Sequence, residues 1–213
     1  QQTGLANVLS SLVQSASHIH PIFALLITMI MCIVLGMGVP TTANYVIMAS
    51  MVAPILMRSL SIPVLAAHMF VFYFGIVADI TPPVALAAYA GSAIAKSNPL
   101  KTGVTATRLA ITAFIVPYIF AFSPEMLIIG SDKPWYEIIL LVVTAVAGIF
   151  IISAGMEGYL LKEMPWWQRA AALAGGLCMV IPGIVTDVIG VVLIALLLML
   201  QKFTGSKKVK VKT

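Results

Sequence analysis

The sequence has 213 residues, of which 61% are hydrophobic and only 9% are charged, and its mean hydropathy is +1.09. A soluble domain carries about 25% charged residues, so this composition excludes an ordinary soluble protein and indicates an integral membrane protein. The formal net charge of +5 does not indicate a nucleic-acid partner, because the basic residues lie at the ends of apolar segments and in the C-terminal tail.

Residues 1–19 are weakly amphipathic, so we expect them to lie at the membrane interface or to end a preceding helix. The chain begins at Gln1 without a basic n-region or a cleavage site, which indicates a piece cut from a longer protein.

Residues 20–58 have the pattern of a re-entrant helical hairpin. Two apolar arms, 21–35 and 45–57, flank the stretch GMGVPTTAN at 36–44. Each arm has about 15 residues, roughly 22 Å at helical rise, which is short of a hydrocarbon core about 30 Å thick. The alternative interpretation is one long spanning helix with a kink.

Residues 59–103 predict a broken transmembrane helix followed by a cytoplasmic loop. Apolar stretches at 62–78 and 84–95 flank the sequence ADITPP. Each proline removes a backbone donor and interrupts the helical ladder, and an aspartate at bilayer depth costs roughly 2.5–3.5 kcal/mol. We therefore expect a break at mid-membrane.

Residues 104–203 predict the C-terminal transmembrane helices, and 204–213 predict a basic cytoplasmic tail. The first of these spans, 107–122, is expected to kink at Pro117. If the tail is cytoplasmic, ten of the twelve Lys and Arg residues lie inside and only Arg58 and Lys133 lie outside, as the positive-inside rule expects.

Two apolar segments carry the cysteines Cys32 and Cys178. We expect two buried thiols, and a disulfide is the alternative. His20 and His68 are expected to lie at an interface or to pack between helices rather than to bind a ligand.

The two predicted breaks carry the candidate chemistry. Non-helical backbone at bilayer depth is tolerated only where it is buried in protein or lines a wet cavity. Freed carbonyls and helix C-termini coordinate cations such as Na⁺, and Thr41, Thr42, Asn44 and Thr81 add small oxygen ligands. The alternative is a purely structural kink, in which each threonine bonds only to its own helix. Asp79 has three interpretations: a cation ligand, a proton carrier, or a carboxylate paired with a residue elsewhere.

The stretches GMGVPTTANYVIMASMVAPIL and ADITPPVALAAYAGSAIA resemble the second half of the large membrane subunit of tripartite ATP-independent periplasmic (TRAP) transporters. The closing stretches TRLAITAFIVPYIFAFSPEMLIIG, GMEGYLL and IPGIVTDVIG are similar to the fused permeases of the TAXI branch. The resemblance covers residues 20–201. It implies an all-α integral membrane fold: the second inverted repeat of an elevator-type transporter, with a re-entrant hairpin and a broken transmembrane helix.

The resemblance also implies Na⁺ as the coupling ion, with no organic cofactor. It places Gly36, Gly38 and Thr41 in the hairpin tip, opposite Thr81 and Val84 across the ion, some of them acting through backbone carbonyls.

Beside the ion we place a substrate cavity. The residues assigned to it are Thr42, Asn44, Asp79, Pro82 and Pro83.

The implied function is Na⁺-coupled import of small organic acids across a bacterial or archaeal cytoplasmic membrane. The implied partners are a periplasmic substrate-binding protein, a small four-helix membrane subunit or fused domain, and the missing N-terminal half of the permease, without which we expect no transport.

Two other classes of function are alternatives to this one. A channel, or a permease subunit of an ATP-driven importer, would need a partner to supply the Walker motif that this sequence lacks. A membrane-embedded enzyme is disfavoured, because the sequence has no His-Glu-x-x-His helix, no Gly-x-Ser-x-Gly elbow and no carboxylate pair at one depth.

Overall fold

The computed structural model describes residues 4–128, 133–181 and 183–203, and the regular elements in these ranges are all helices. The predicted all-α fold is therefore confirmed. The chain forms two compact units, Gln1–Asp132 and Lys133–Thr213. The predicted tail 204–213 lies outside the described residues.

The first unit is built around one central helix. Its α-helices are α1 (Leu5–Ile19), α2 (Pro21–Gly36), α3 (Thr41–Met51), α4 (Ala53–Leu60), α5 (Val64–Val77), α6 (Leu86–Ile94), α7 (Pro99–Leu109) and α8 (Ile111–Phe122). α5 contacts α2, α3, α4 and α8. Phe70 and Phe74 of α5 are fully buried and pack edge-to-face at a centroid distance of 4.8 Å, so α5 carries the largest hydrophobic core of this unit.

Local signals explain how α2 begins. His20 has extended backbone, and its ring Nδ1 accepts a hydrogen bond from the Ile22 N–H at 3.2 Å. Pro21 occupies the first helical position, where its missing N–H costs nothing. His20 is thus an N-cap residue at the entrance of the hairpin.

The hairpin has a shorter break and a longer second arm than the sequence predicts. α2 ends at Gly36, and α3 already begins at Thr41, directly after Pro40. The fixed φ of proline suits the start of a helix, so Asn44 lies within α3 rather than in a loop. Together α3 and α4 form a 20-residue helix, Thr41–Leu60, which is long and apolar enough to cross a membrane.

The predicted break in the second element is confirmed. α5 ends at Val77, a 3₁₀ turn follows at Ala78–Ile80, and α6 begins only at Leu86. Pro82 and Pro83 lie between them and cannot donate backbone hydrogen bonds.

The apolar segment that contains Pro117 does not bend at this proline, where the sequence predicts the kink, but at Ala110. Helices α7 and α8 meet at Ala110 with a bend of 40°, and α8 continues through Pro117. Phe114 packs against Phe74 and Tyr118 packs against Phe70, one contact on each side of the proline. These contacts hold α8 along α5 across the missing hydrogen bond. Because α7 begins at Pro99, it also crosses the boundary predicted at 103/104.

The second unit contains α9 (Trp135–Glu157), α10 (Trp166–Val180) and α11 (Ile184–Phe203). Facing glycines bring α9 and α10 together, since a Cβ at Gly148 would lie 2.7 Å from the Gly176 carbonyl oxygen. Arg169 donates from Nε to the Gly155 carbonyl at 3.0 Å and from Nη2 to the Met156 carbonyl at 2.6 Å, so it caps the end of α9.

Three helices in the described residues are long and apolar enough to cross a membrane, and the bent pair α7–α8 would make a fourth. The three are Thr41–Leu60, Trp135–Glu157 and Val185–Lys202. Both cysteines are free thiols, Cys32 buried and Cys178 half-buried.

We expect Gly176→Ala to destabilise the protein. The new Cβ would lie 2.6 Å from Ile152 Cγ1 and 2.8 Å from the Gly148 carbonyl oxygen, and overpacking of this kind costs about 1–3 kcal/mol. The measurement is thermal unfolding of the purified protein in detergent. Gly91→Ala in α6 is the matched control, because its Cβ would meet no heavy atom within 4 Å. Equal Tm values for the two variants would contradict the close helix packing.

Candidate functional site

Asn44 joins the hairpin to the broken helix. It lies in the first part of α3 and is 1% exposed. Its Nδ2 donates to the Gly75 carbonyl of α5 at 2.9 Å. Its Oδ1 is buried and has no hydrogen-bond partner in the described part of the chain. An unpartnered buried acceptor is rare in folded proteins and marks a site where a ligand or water is expected.

Two glycines and one alanine form the walls around this side chain. A Cβ at Gly36 would lie 2.5 Å from Asn44 Nδ2 and 3.0 Å from Ala78 Cβ, and a Cβ at Gly75 would lie 3.1 Å from the same Nδ2. The end of α2, the start of α3 and the end of α5 therefore meet at one point, which we call the Asn44 junction (Gly36, Asn44, Gly75 and Ala78).

Thr81 lies one turn after the end of α5. Its hydroxyl donates to the Val77 carbonyl at 2.7 Å, and its N–H donates to the Ala78 carbonyl at 3.3 Å. This is the local bond that the structural interpretation of the break describes. It uses only the hydroxyl hydrogen, so both acceptor lone pairs of the Thr81 oxygen are left for a cation.

The other side of the break is covered by α6 and α7. Tyr89 Oη donates to the Pro83 carbonyl at 2.7 Å, and Thr107 Oγ1 lies 3.0 Å from the Ile80 carbonyl. Gly103 of α7 fits closely here, because a Cβ on it would lie 3.1 Å from the Tyr89 ring. The freed carbonyls of the break are thus bonded by side chains from two neighbouring helices.

A cavity of about 290 Å³ lies between α3 and α5. It is lined by Thr41, Thr42, Tyr45, Phe72 and Ile76. The rings of Tyr45 and Phe72 pack edge-to-face, with their centroids 5.5 Å apart.

On the same side, the Tyr45 hydroxyl lies 3.0 Å from Nδ1 of His68. His68 therefore packs between helices, as expected, and this bond fixes the Tyr45 ring at the edge of the cavity.

The predicted site residues fall into separate places. Gly36 and Asn44 lie at the Asn44 junction, although Asn44 was expected in the substrate cavity. Thr42, which was assigned to the substrate cavity, and Thr41, which was assigned to the ion site, both line the cavity between α3 and α5. Gly38 has a φ of 77° in the turn, and a Cβ on it would meet no heavy atom within 4 Å.

The remaining predicted residues belong to the break itself. Asp79 is half-buried in the 3₁₀ turn, and its carboxylate has no hydrogen-bond or ion-pair partner among the residues that the structure describes. Pro82 and Val84 are half-buried and Pro83 is exposed.

Sequence reasoning missed Gly75, Tyr89, Gly103 and Thr107. Gly75 is a glycine in an apolar run, which is a signal for close backbone approach. Thr107 had no local signal, since its partner Ile80 is 27 residues away.

A double-mutant cycle tests the Asn44 junction. We expect Gly36→Ala to lower the free energy of unfolding by about 1–3 kcal/mol, because the new methyl group displaces the Asn44 amide. In an Asn44→Ala background, Gly36→Ala should lower the free energy of unfolding much less, because the amide group that the new methyl group would meet is absent. Thermal unfolding of the four proteins measures the coupling. If the two substitutions lower the free energy of unfolding additively, the contact between Gly36 and Asn44 is contradicted.

Comparison with protein families shows a match over the first part of the chain. The family described as tripartite ATP-independent periplasmic transporter, DctM component, matches residues 1–135, which is more than half of the chain and nearly coincides with the first unit. Comparison with curated proteins gives no match, and comparison with solved structures gives none. The resemblance to the TAXI branch stays a prediction.

Members of this family are permease components of secondary transporters rather than enzymes, and in general they work with a periplasmic binding protein and a small membrane subunit. This chain belongs to the DctM family, the large membrane component of the tripartite ATP-independent periplasmic transporters.

Proposed function

We propose that this chain is part of a Na⁺-coupled permease that imports small organic acids handed over by a periplasmic binding protein. The observation that carries the proposal is the buried, unpartnered Oδ1 of Asn44 at the meeting point of the hairpin and the broken helix. A cation at this oxygen would replace the missing donor.

The surroundings of Asn44 favour a cation over a neutral donor. The C-terminal end of α2, which carries partial negative charge, ends at Gly36 beside the Asn44 amide. The Gly36 carbonyl accepts only a long bond of 3.4 Å from the Val39 N–H, so it keeps capacity for an ion. Thr81 adds a hydroxyl oxygen at the break. Gly38, Val84 and Thr41, the last of which also lines the cavity, are proposed as further ligands, some through backbone carbonyls.

The donor set suits a monovalent ion. Among the described residues no group of three or more His, Cys, Asp or Glu side chains could hold a metal ion. Neutral carbonyl, amide and hydroxyl oxygens at broken helices are the ligands that transporters use for Na⁺. On this proposal Asn44 is an ion ligand rather than a substrate contact.

The cavity beside the hairpin supports a small acidic substrate. Its volume of about 290 Å³ lies at the small end of ligand sites. α3 has no side-chain cap at its start, so the first N–H groups of this helix, at Thr41 and Thr42, are open to a carboxylate. Phe72 and Ile76 would contact the apolar part of the acid.

The proposed mechanism couples the two sites through α3. Na⁺ closes the Asn44 junction and fixes the start of α3, the substrate then binds at Thr41 and Thr42, and the hairpin and broken helix move together as an elevator. The other half of the permease, the four-helix subunit and the binding protein complete the transporter. It would lie in a bacterial or archaeal cytoplasmic membrane with the tail inside.

Na⁺-dependent stability tests the role of Asn44. We expect the Tm of the complete permease in detergent to rise with Na⁺ but not with choline, by the mass action of a ligand that binds only the folded state. Asn44→Leu should lose most of this rise, because it removes the amide oxygen. Ser50→Ala is the control on the same helix, since its hydroxyl bonds only to the Ile47 carbonyl. A wild-type Tm that does not change with Na⁺ concentration would overturn the proposal.

Transport tests the role of Thr81. We expect Thr81→Ala to raise the half-saturating Na⁺ concentration for uptake into proteoliposomes by about tenfold, as loss of one charge-assisted contact of about 1.4 kcal/mol predicts. Thr28→Ala is the matched control, because Thr28 makes the same local bond, to the Ala24 carbonyl at 2.8 Å. Unchanged Na⁺ dependence in Thr81→Ala would remove Thr81 from the site.

A further inference from the structure

The break after α5 depends on a hydroxyl group from another helix. In a continuous helix the Ile80 carbonyl would accept from the N–H four residues on. No backbone N–H in the described part of the chain donates to it. Thr107 Oγ1 of α7 lies 3.0 Å from this oxygen, so the bond that orients the Ile80 carbonyl comes from α7.

The Thr107 hydroxyl has a choice of two acceptors. It lies 3.0 Å from the Ile80 carbonyl and 3.0 Å from the Gly103 carbonyl of its own helix. The Gly103 carbonyl is also the acceptor of the helical N–H of Thr107. The Ile80 carbonyl has no backbone donor among the described residues. The hydrogen bond from the Thr107 hydroxyl therefore stabilises the Ile80 carbonyl more than it would stabilise the Gly103 carbonyl.

The contact lies in a close-packed place. Gly103 lies between the Tyr89 ring and Pro82, where a Cβ would approach them to 3.1 Å and 3.3 Å. α7 therefore meets the break along one full turn, from Gly103 to Thr107, and the Ile80 peptide has little freedom to rotate away.

We infer that Thr107 is a positioning residue for the ion site. The Ile80 carbonyl and the Thr81 N–H belong to one peptide plane. Thr107 holds the carbonyl end of that plane, and the Ala78 carbonyl accepts from the N–H end at 3.3 Å. Together these two bonds set the orientation of Thr81, whose oxygen is a proposed Na⁺ ligand. Thr107 itself does not touch the ion.

The inference rests on the proposed function and is tested with three variants of the complete permease. Thr107→Val has nearly the same shape without the hydroxyl, and Thr107→Ser keeps the hydroxyl. Thr105→Val is the matched control on α7, because the Thr105 hydroxyl bonds only to the Lys101 carbonyl of its own helix, at 2.8 Å. Each variant is reconstituted in proteoliposomes, and uptake is measured in the presence of the periplasmic binding protein of the transporter.

We expect Thr107→Val to raise the half-saturating Na⁺ concentration about threefold to tenfold. The maximal rate and the substrate KM at saturating Na⁺ should change less than twofold, because the substrate cavity lies at α3. Thr107→Ser and Thr105→Val should behave as wild type. Hydrogen exchange should become faster at the amides of Thr81 and Ala85 in Thr107→Val alone, since the peptide there loses its anchor.

Three results would overturn the inference. The first is an unchanged half-saturating Na⁺ concentration in Thr107→Val while the wild type depends on Na⁺, which leaves the proposed function intact. The second is a wild type without Na⁺ dependence, which overturns the proposed function as well. The third is that Thr107→Val fails to purify as folded protein while Thr107→Ser and Thr105→Val fold, which would assign the hydroxyl to the fold as a whole.

Discussion

The structure of the first unit depends on one constraint: backbone carbonyls freed in apolar surroundings must find new donors. Pro82 and Pro83 remove the helical donors of the Ala78 and Asp79 carbonyls. The Ala78 carbonyl accepts a hydrogen bond from the Thr81 N–H instead. The Ile80 carbonyl accepts from the Thr107 hydroxyl, and the Pro83 carbonyl accepts from the Tyr89 hydroxyl. The packing of α6 and α7 around the break follows from these bonds, because both helices must approach closely enough to donate.

The turn between α2 and α3 meets the same constraint differently. Its backbone bonds, Met37 N–H to the Val34 carbonyl and Val39 N–H to the Gly36 carbonyl, are both 3.4 Å long, and Gly38 faces open space. The break is therefore held by side chains of neighbouring helices, whereas the turn is held mainly by the Asn44 junction at its base. A ligand at this junction would order the weaker of the two segments, which is the property that coupled binding requires.

Proline, glycine and the apolar runs were enough to predict both breaks and most helices, because these signals act locally. The bend at Ala110 rather than Pro117 was not predictable, since it depends on how Phe114 and Tyr118 pack against α5. The buried place of Asn44 was not predictable for a similar reason, because it depends on a hydrogen bond to Gly75, 31 residues away. Contacts of this range leave no periodic or local trace in a single sequence.

The placement of charge separates Asn44 from Asp79, the two residues with polar amide or carboxylate side chains that the sequence assigned to the substrate cavity. The neutral amide of Asn44 lies at the buried junction, whereas the carboxylate of Asp79 is only half-buried. A buried amide oxygen without a partner costs about 1–3 kcal/mol, but a buried carboxylate without a counter-ion costs several kcal/mol more. On the proposed cycle the ion must leave once per turnover. A buried site built on a neutral oxygen can therefore be emptied at lower cost than one built on a carboxylate, and this favours the neutral amide of Asn44 as the ligand at the centre of the junction.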